Sequence, residues 1–157
     1  MTATTLAVLT VVPHEGRYLI VEERDGTFYL PVGRVEPGEN LMAAAVRETA
    51  EEAGTAIGLR GILGIEHSWV AGAPSRMRFR FVFVGYPAIL APPKSQADEH
   101  SRGAHWLRKE ELRHLPLRHE ETLGWIERFE TGQTLLPCAA YDWYGPHDDA
   151  SWSARGG

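Results

Sequence analysis

The hydrophobic and polar positions along the chain follow two periods, and the change between them separates predicted strands from predicted helices. Residues 5–12 are almost continuously apolar and predict a buried strand. Residues 17–23 and 28–30 predict two shorter strands. Residues 76–84 place apolar residues opposite three arginines, which predicts a strand with one buried side. The solvated polar face of such a strand is the simplest place for these arginines.

The rest of the chain adds strands and helices in turn, which predicts a mixed α/β domain. Residues 55–69 are mostly apolar and predict a long strand, in which Gly58, Gly61 and Gly64 allow bulges or bends. A short strand, a helical turn and an amphipathic helix are predicted at residues 104–107, 109–114 and 119–130.

A helix between residues 41 and 53 carries the most distinctive chemistry. Asn40 is its predicted N-cap and Gly54 its predicted C-terminal stop. Glu48, Glu51 and Glu52 are spaced i, i+3, i+4 and therefore share one helix face, where like charges repel. A hard divalent cation such as Mg²⁺ would offset that repulsion, because it binds carboxylate oxygens and completes its shell with substrate phosphates. A solvated acidic face is the alternative that the three glutamates alone allow.

Composition narrows the classes of function. The 157 residues, 43% of them hydrophobic and 24% charged, suit one globular domain. The net charge of −5 argues against a nucleic-acid-binding surface, but it allows a small phosphorylated substrate if a metal supplies positive charge. The short apolar runs fit neither a signal peptide nor a membrane span. Cys138 is the single cysteine, so it predicts an idle thiol and a reducing compartment, the cytoplasm.

The segment from residue 33 to residue 54 resembles the Nudix box of the Nudix (MutT-type) hydrolases. Every charged and glycine position of that motif is present at its spacing, a far more specific signal than a lone glycine-rich loop. Thr49 and Thr55 occupy its two apolar positions, and Val32 stands where a glycine often precedes the motif. The matching residues are Gly33, Glu39, Arg47, Glu48, Glu51, Glu52 and Gly54.

The resemblance implies a fold and a reaction. The fold is the Nudix fold, of the α/β (α+β) class, in which a mixed β-sheet is sandwiched between helices; residues 1–157 would form a single such domain. The reaction is hydrolysis of a P–O–P bridge in a nucleoside diphosphate derivative, with Mg²⁺ as the cofactor and Mn²⁺ as a partial substitute. A small-molecule nucleotide is the implied partner, with no role for nucleic acid or membrane.

Catalytic roles follow from the same resemblance, residue by residue. Glu51 and Glu52 would ligate the metal, and Glu48 would ligate the metal or take a proton from water. Arg47 would orient Glu48 through an ion pair. The main-chain carbonyl of Val32 would supply a further ligand.

Three positions in the loop that begins the motif receive supporting roles in this resemblance. Glu39 would brace the loop, and Gly33 and Gly38 would let it turn tightly. Many relatives add an acidic residue a few positions before a tryptophan, and here Glu99 is the candidate for a further ligand or base, with Asp98 next.

A finer resemblance suggests the substrate. Several segments look like the branch that hydrolyses oxidised guanine nucleoside diphosphates such as 8-oxo-dGDP, including residues 29–39, 80–83 and 115–118. Arg34 and Arg80 are candidates for substrate phosphate contacts. Phe28 is a candidate to stack on a base, although a core position suits it equally. A nucleotide sugar, a dinucleotide or another diphosphorylated metabolite is the alternative substrate, and a non-catalytic ligand-binding module the alternative class.

Residues 131–157 form an aromatic C-terminal extension that is too apolar for a free tail. It includes Trp143, Tyr144 and Trp152, and we expect it to pack on the domain or on a second subunit. A homodimer, which is common among the proteins that the chain resembles, would use such a surface. The last residues, 153–157, have the composition of a disordered end.

Overall fold

The computed structural model describes residues 3–72 and 76–145, which form eight strands, two α-helices of about three turns, one short α-helix and a short 3-10 helix at Cys138–Ala140. Residues 146–157, among them Trp152, lie outside the described residues. The strands are β1 (Ala3–Val11), β2 (Pro13–His14), β3 (Arg17–Glu22), β4 (Phe28–Tyr29), β5 (Val32–Arg34), β6 (Ile57–Val70), β7 (Arg76–Pro87) and β8 (Gly103–Leu107). The helices are α1 (Leu41–Ala53), α2 (Lys109–Leu112) and α3 (Glu121–Glu130).

The strands form two four-stranded sheets. The first has the order β5-β1-β7-β6, in which β1 and β7 are parallel and the other pairs are antiparallel. The second consists of β2, β3 and β4, with β8 paired to β3. The parallel pair beside antiparallel neighbours makes the first sheet mixed, as predicted.

The two long helices cover opposite faces of these sheets. Val8 and Phe83 pack with Leu41 of α1, whereas Leu9 and Val82, their neighbours along β1 and β7, pack in the cluster that contains Ile126 of α3. Successive residues of a strand face opposite sides, so each strand contributes to both clusters. The prediction of a mixed sheet between helices is confirmed.

The ends of α1 are those that the sequence predicts. Asn40 Oδ1 accepts a hydrogen bond of 2.7 Å from the Ala43 N–H, which satisfies one free donor of the first turn. Gly54 adopts a left-handed conformation with φ of 64° and its N–H bonds the Ala50 carbonyl at 2.9 Å. Each cap depends on one residue and its near neighbours, so the sequence alone predicts both ends of α1.

The long strand β6 contains the irregularities that its glycines predict. Its register against β7 shifts between Leu59 and Gly61 and again between Ile62 and Gly64. A Cβ on Gly61 would lie 2.8 Å from the Leu135 side chain, and one on Gly64 would lie 2.8 Å from the Trp125 ring. These two glycines therefore let the C-terminal segment and α3 approach the strand backbone.

Part of the C-terminal extension lies on the domain. Leu136 exchanges two backbone hydrogen bonds with Ile62, and Cys138 and Tyr141 pack against the cluster beneath α1. Trp143 and Tyr144 remain exposed. Within the described residues, no helix is both long and apolar enough to cross a membrane.

Candidate active site

Arg47, on the second turn of α1, is the centre of a cluster of carboxylates. Its Nε and Nη2 bond both oxygens of Glu39 at 2.8 and 2.9 Å. Its Nη1 donates to Glu48 Oε1 at 2.9 Å and to Glu51 Oε2 at 3.0 Å. A further bond of 3.0 Å runs from Nη2 to the Arg34 carbonyl. One guanidinium therefore joins the helix to the loop before it and to the end of β5.

Glu39 completes the bracing of that loop. Its Oε2 also accepts a hydrogen bond of 3.0 Å from the Glu36 N–H, while Gly38 between them has φ of 80°. Only glycine adopts this left-handed backbone without strain, so Gly38 serves the tight turn that was predicted.

Gly33 is required for a different reason from the one predicted. Its φ is not in the left-handed region, but a Cβ at this position would lie 1.8 Å from the Glu48 carboxyl carbon. The backbone of β5 and the Glu48 side chain therefore touch, and any larger residue would displace the carboxylate. The glycine makes room for a functional side chain and does not bend the chain.

Glu52 is held on the same edge of the sheet. Its Oε2 accepts a hydrogen bond of 2.9 Å from the Val32 N–H at the start of β5. Ser101, which is fully buried, donates its hydroxyl to the Glu52 carbonyl at 2.6 Å. The loop before β8 and the first residue of β5 thus fix Glu52 from two sides.

The two carboxylates nearest β5 resist ionisation. Burial raises the pKa of Glu52 to about 8, and the neighbouring Glu48 charge adds to the effect. Burial likewise raises the pKa of Glu48, although the Arg47 guanidinium opposes it. Arg47 alone does not neutralise this cluster, because it is shared among Glu39, Glu48 and Glu51.

The donor set suits a hard divalent cation, although it is not a closed cage. Among the residues that the structure describes, no group of three or more His, Cys, Asp or Glu side chains is gathered to hold a metal. Arg47 and the Val32 N–H occupy oxygens of the three glutamates instead. Mg²⁺ commonly takes one or two carboxylates and completes its shell with water and phosphate, so the half-buried, under-neutralised pair Glu48 and Glu52 fits it. The carbonyl of Val32 stays a predicted ligand.

Glu99 lies apart from this cluster. Its side chain is 82% exposed and its ion pair is with His100, at 3.7 Å. Asp98 pairs with Lys94 and accepts the N–H groups of His100 and Ser101. The structure therefore gives Asp98 a role in shaping this loop and does not bring Glu99 to the α1 carboxylates, so the catalytic role of Glu99 stays a prediction.

Arg34 ends β5 and Phe28 begins β4, and the two side chains differ in their surroundings. The Arg34 side chain is exposed and lines a cleft of about 280 Å³ together with Val32 and Gly33. Phe28 is partly buried, packs against the core and stands 6.0 Å from the His105 ring. Arg34 is thus exposed to the cleft and its substrate contact stays a prediction, while the contacts of Phe28 are those of a core residue.

Arg80 is not on a solvated face, and that prediction was wrong. Its side chain is 3% exposed and is enclosed by Glu121 of α3, Glu66 of β6 and the Tyr29 hydroxyl. The hydrogen bonds to Glu121 are 2.7 and 2.8 Å long, and this pairing lowers the pKa of the Glu121 carboxyl to about 2. Its predicted substrate contact is untested, but its present partners are carboxylates of its own chain.

Two charged residues beside the site were not singled out from the sequence. Arg118, in the loop before α3, pairs with Glu23 at 2.7 Å and lies over the Tyr29 ring. Both charges act on the Glu52 pKa, since Glu23 raises it and Arg118 lowers it. The 115–118 segment meets Phe28 of β4 through backbone hydrogen bonds, a contact between distant parts of the chain that no local pattern predicts.

The comparison with protein families matches this geometry. Residues 1–129 match the model of the NUDIX domain. The chain therefore belongs to the NUDIX family of hydrolases.

Individual proteins that are similar to this chain agree with the family assignment. The chain is 38% identical over 107 residues to the human 8-oxo-dGDP phosphatase NUDT18, a match that covers 65% of this chain and 30% of that protein. A NUDIX hydrolase from Nitrosomonas europaea superposes with a TM-score of 0.77 at 27% identity, covering 90% of this chain and 97% of that one. A MutT protein from Methanosarcina mazei Go1 superposes with a TM-score of 0.66 at 22% identity, covering 83% of this chain and 96% of that one. At this identity the likeness supports the fold alone. The chain spans less than a third of the length of the curated relatives it matches.

Proposed function

We propose that the chain hydrolyses a P–O–P bond in a nucleoside diphosphate derivative, with Mg²⁺ at the α1 carboxylates. The observation that carries the proposal is the Arg47 cluster, in which Glu48 and Glu52 stay half-buried with raised pKa values at the edge of an arginine-lined cleft. Buried carboxylates that resist ionisation become favourable as anions when a cation binds them, and a polyphosphate is a ligand that shares such a cation with carboxylates.

The residues have separable roles in this proposal. A bound Mg²⁺ would neutralise phosphate charge and acidify water. Glu51 and Glu52 would hold it. Glu48 would hold it or accept the proton of the attacking water, and its raised pKa brings it closer to the range of a general base. Arg47 engages Glu48 Oε1 and so fixes the direction of the other oxygen, Oε2.

The metal requirement is tested by chelation. We expect hydrolysis, followed as phosphate release, to stop in excess chelator, to return with Mg²⁺ and to return in part with Mn²⁺. Undiminished turnover in excess chelator would exclude the metal assignment. A separate binding measurement by calorimetry should show Mg²⁺ affinity that Glu52→Gln weakens, with the exposed Glu120→Gln as the matched control.

The substrate within this class is proposed to be an oxidised guanine nucleotide. Support comes from the 38% identity to a relative named as an 8-oxo-dGDP phosphatase. A panel containing 8-oxo-dGDP, dGDP, ADP-ribose and a dinucleoside polyphosphate tests it by comparing kcat/KM. A preference for 8-oxo-dGDP of about tenfold or more over dGDP supports the proposal, whereas a preference for ADP-ribose or the dinucleotide moves the chain to another substrate of the family.

A further inference from the structure

The cleft beside β5 is strongly cationic in a chain whose net charge is −5. Its volume is about 280 Å³, and four arginines line it: Arg34, Arg76, Arg78 and Arg118. The other lining residues in the described part of the chain are uncharged. Guanidinium groups repel one another in a partly enclosed space, so an anion that enters this cleft lowers their mutual repulsion.

Strand register explains why the arginines meet. Arg78 lies beside Thr5 and Arg34 lies beside Ala7 in the first sheet, so both side chains project from the face opposite α1. Arg76 is two residues before Arg78 on the same strand and shares that face. The sheet itself therefore builds this cationic surface.

Two of the four charges have no carboxylate partner. Within residues 3–72 and 76–145, Arg34 and Arg76 make no ion pair, whereas Arg78 pairs with Glu66 at 3.3 Å and Arg118 pairs with Glu23. Arg78 also has a buried Nε without a hydrogen-bond partner. The unpaired charges of Arg34 and Arg76 are therefore the ones that an anionic oxygen in the cleft would satisfy.

The cleft adjoins the carboxylates through β5. Val32 and Gly33 line it, while the Val32 N–H bonds Glu52 and Gly33 contacts Glu48 from its other side. Because β5 is the edge strand of the first sheet, a nucleoside diphosphate that passes around this edge would place its inner phosphate on the side of the α1 carboxylates and its terminal phosphate among the arginines.

We infer that the four-arginine cleft binds the terminal phosphate of the substrate and selects nucleotides that end in a free phosphate over those that end in a neutral sugar. The inference rests on the proposed function for its choice of substrate class. A terminal phosphate carries nearly two charges at neutral pH and accepts bidentate arginine bonds, which a neutral sugar cannot match.

Kinetics with two probes test this selection. We expect Arg76→Gln and Arg34→Gln to raise KM for GDP by about tenfold with kcat little changed, the size expected for one lost charged hydrogen bond. The KM for ADP-ribose should rise much less, because its second phosphate carries only one charge and is esterified to a neutral sugar. Arg113→Gln is the matched control, because that arginine lies directly after α2 and pairs with an exposed partner, Glu127. Equal changes for both probes, or none, would overturn the selection.

Binding without turnover separates this inference from the proposed function. In excess chelator, we expect inorganic pyrophosphate to bind the wild-type protein in calorimetry and to bind Arg76→Gln about tenfold more weakly. Binding of this kind in a protein that hydrolyses no nucleotide would leave the cleft assigned and remove the proposed activity. Pyrophosphate affinity that is absent, or equal in the wild type and Arg76→Gln, would remove the cleft assignment even if hydrolysis is intact.

Discussion

Two clusters of one arginine with several glutamates lie on opposite faces of the first sheet, and they differ in how well their charge is balanced. Beside α3, Arg80 is enclosed by Glu66 and Glu121, and the pKa of Glu121 falls to about 2. Beside α1, Arg47 is shared among three glutamates, and the pKa of Glu52 rises to about 8. Similar residues thus produce a closed ion-pair cluster in one place and a surplus of negative charge in the other.

The contrast indicates which cluster stabilises the fold and which one serves chemistry. A carboxylate whose pKa is lowered stabilises the folded state, whereas one whose pKa is raised costs stability unless a ligand compensates it. Strongly perturbed carboxylates at a cleft are typical of functional sites. The four predictions below test this division, beginning with the largest expected effect.

The α1 cluster should be essential for turnover and dispensable for folding. Glu52→Gln should lower kcat by roughly 10³-fold, the loss expected when a preorganised electrostatic partner is removed. Its melting temperature should stay at or above that of the wild type, because the amide oxygen can still accept the Val32 N–H and the cost of burying an ionised carboxylate is removed. Glu120→Gln is the control for both measurements. Near-normal turnover in the Glu52 variant would contradict the site assignment.

The α3 cluster should show the reverse pattern. Arg80→Met keeps an unbranched side chain about as long as the aliphatic stem of arginine but leaves Glu66 and Glu121 without their buried partner, which should cost about 3 kcal/mol of unfolding free energy and lower Tm by about 10 °C. Arg78→Met on the same strand face should cost less, since its ion pair is longer and more exposed. If Arg80→Met leaves Tm unchanged and raises KM instead, Arg80 binds substrate as the sequence suggested.

Gly33→Ala should damage the α1 cluster without unfolding the protein. The new Cβ would overlap the Glu48 carboxyl group, the flexible end of a side chain, so the carboxylate should move and kcat should fall by about 30-fold. Stability measured in urea should change by less than about 1 kcal/mol. Gly58→Ala is the matched control, because its Cβ would meet open space; the idea fails if both variants keep full activity.

Acid should weaken the α3 cluster through Glu121. Because its pKa is lowered from 4.5 to about 2, its contribution to stability is complete above the ordinary value and is lost as pH falls between the two. Urea unfolding of the wild type and Glu121→Gln over that range should therefore show a steeper decline for the wild type. Parallel declines would mean that Glu121 titrates normally.

The fold and the motif were predictable because their signals are local. The caps Asn40 and Gly54, the bulges of β6 and the spacing of the glutamates each depend on residues within a few positions of one another. The family resemblance, and not the spacing alone, identified Arg47 as the partner of Glu48, and the ion pair in the structure matches it.

The remaining features depend on contacts that no local pattern records. A strand pattern cannot show that Arg80 meets Glu121, which lies 41 residues later, in place of water. The need for glycine at position 33 arises only when α1 brings Glu48 against β5. Arg118 and Glu23, which form an ion pair, are 95 residues apart in the sequence.

The end of α1 is anchored by a distant part of the chain, and this constrains how the protein can vary. Lys94 donates its Nζ to the Glu51 carbonyl and its N–H to the Ala53 carbonyl, and the Ser101 hydroxyl bonds the Glu52 carbonyl. An insertion or deletion between residues 94 and 101 would shift these donors by ångströms. Loop-length changes are tolerated elsewhere on protein surfaces, but here they would misalign the helix that carries the site. Directed evolution of this scaffold should therefore diversify the composition of that loop and leave its length constant.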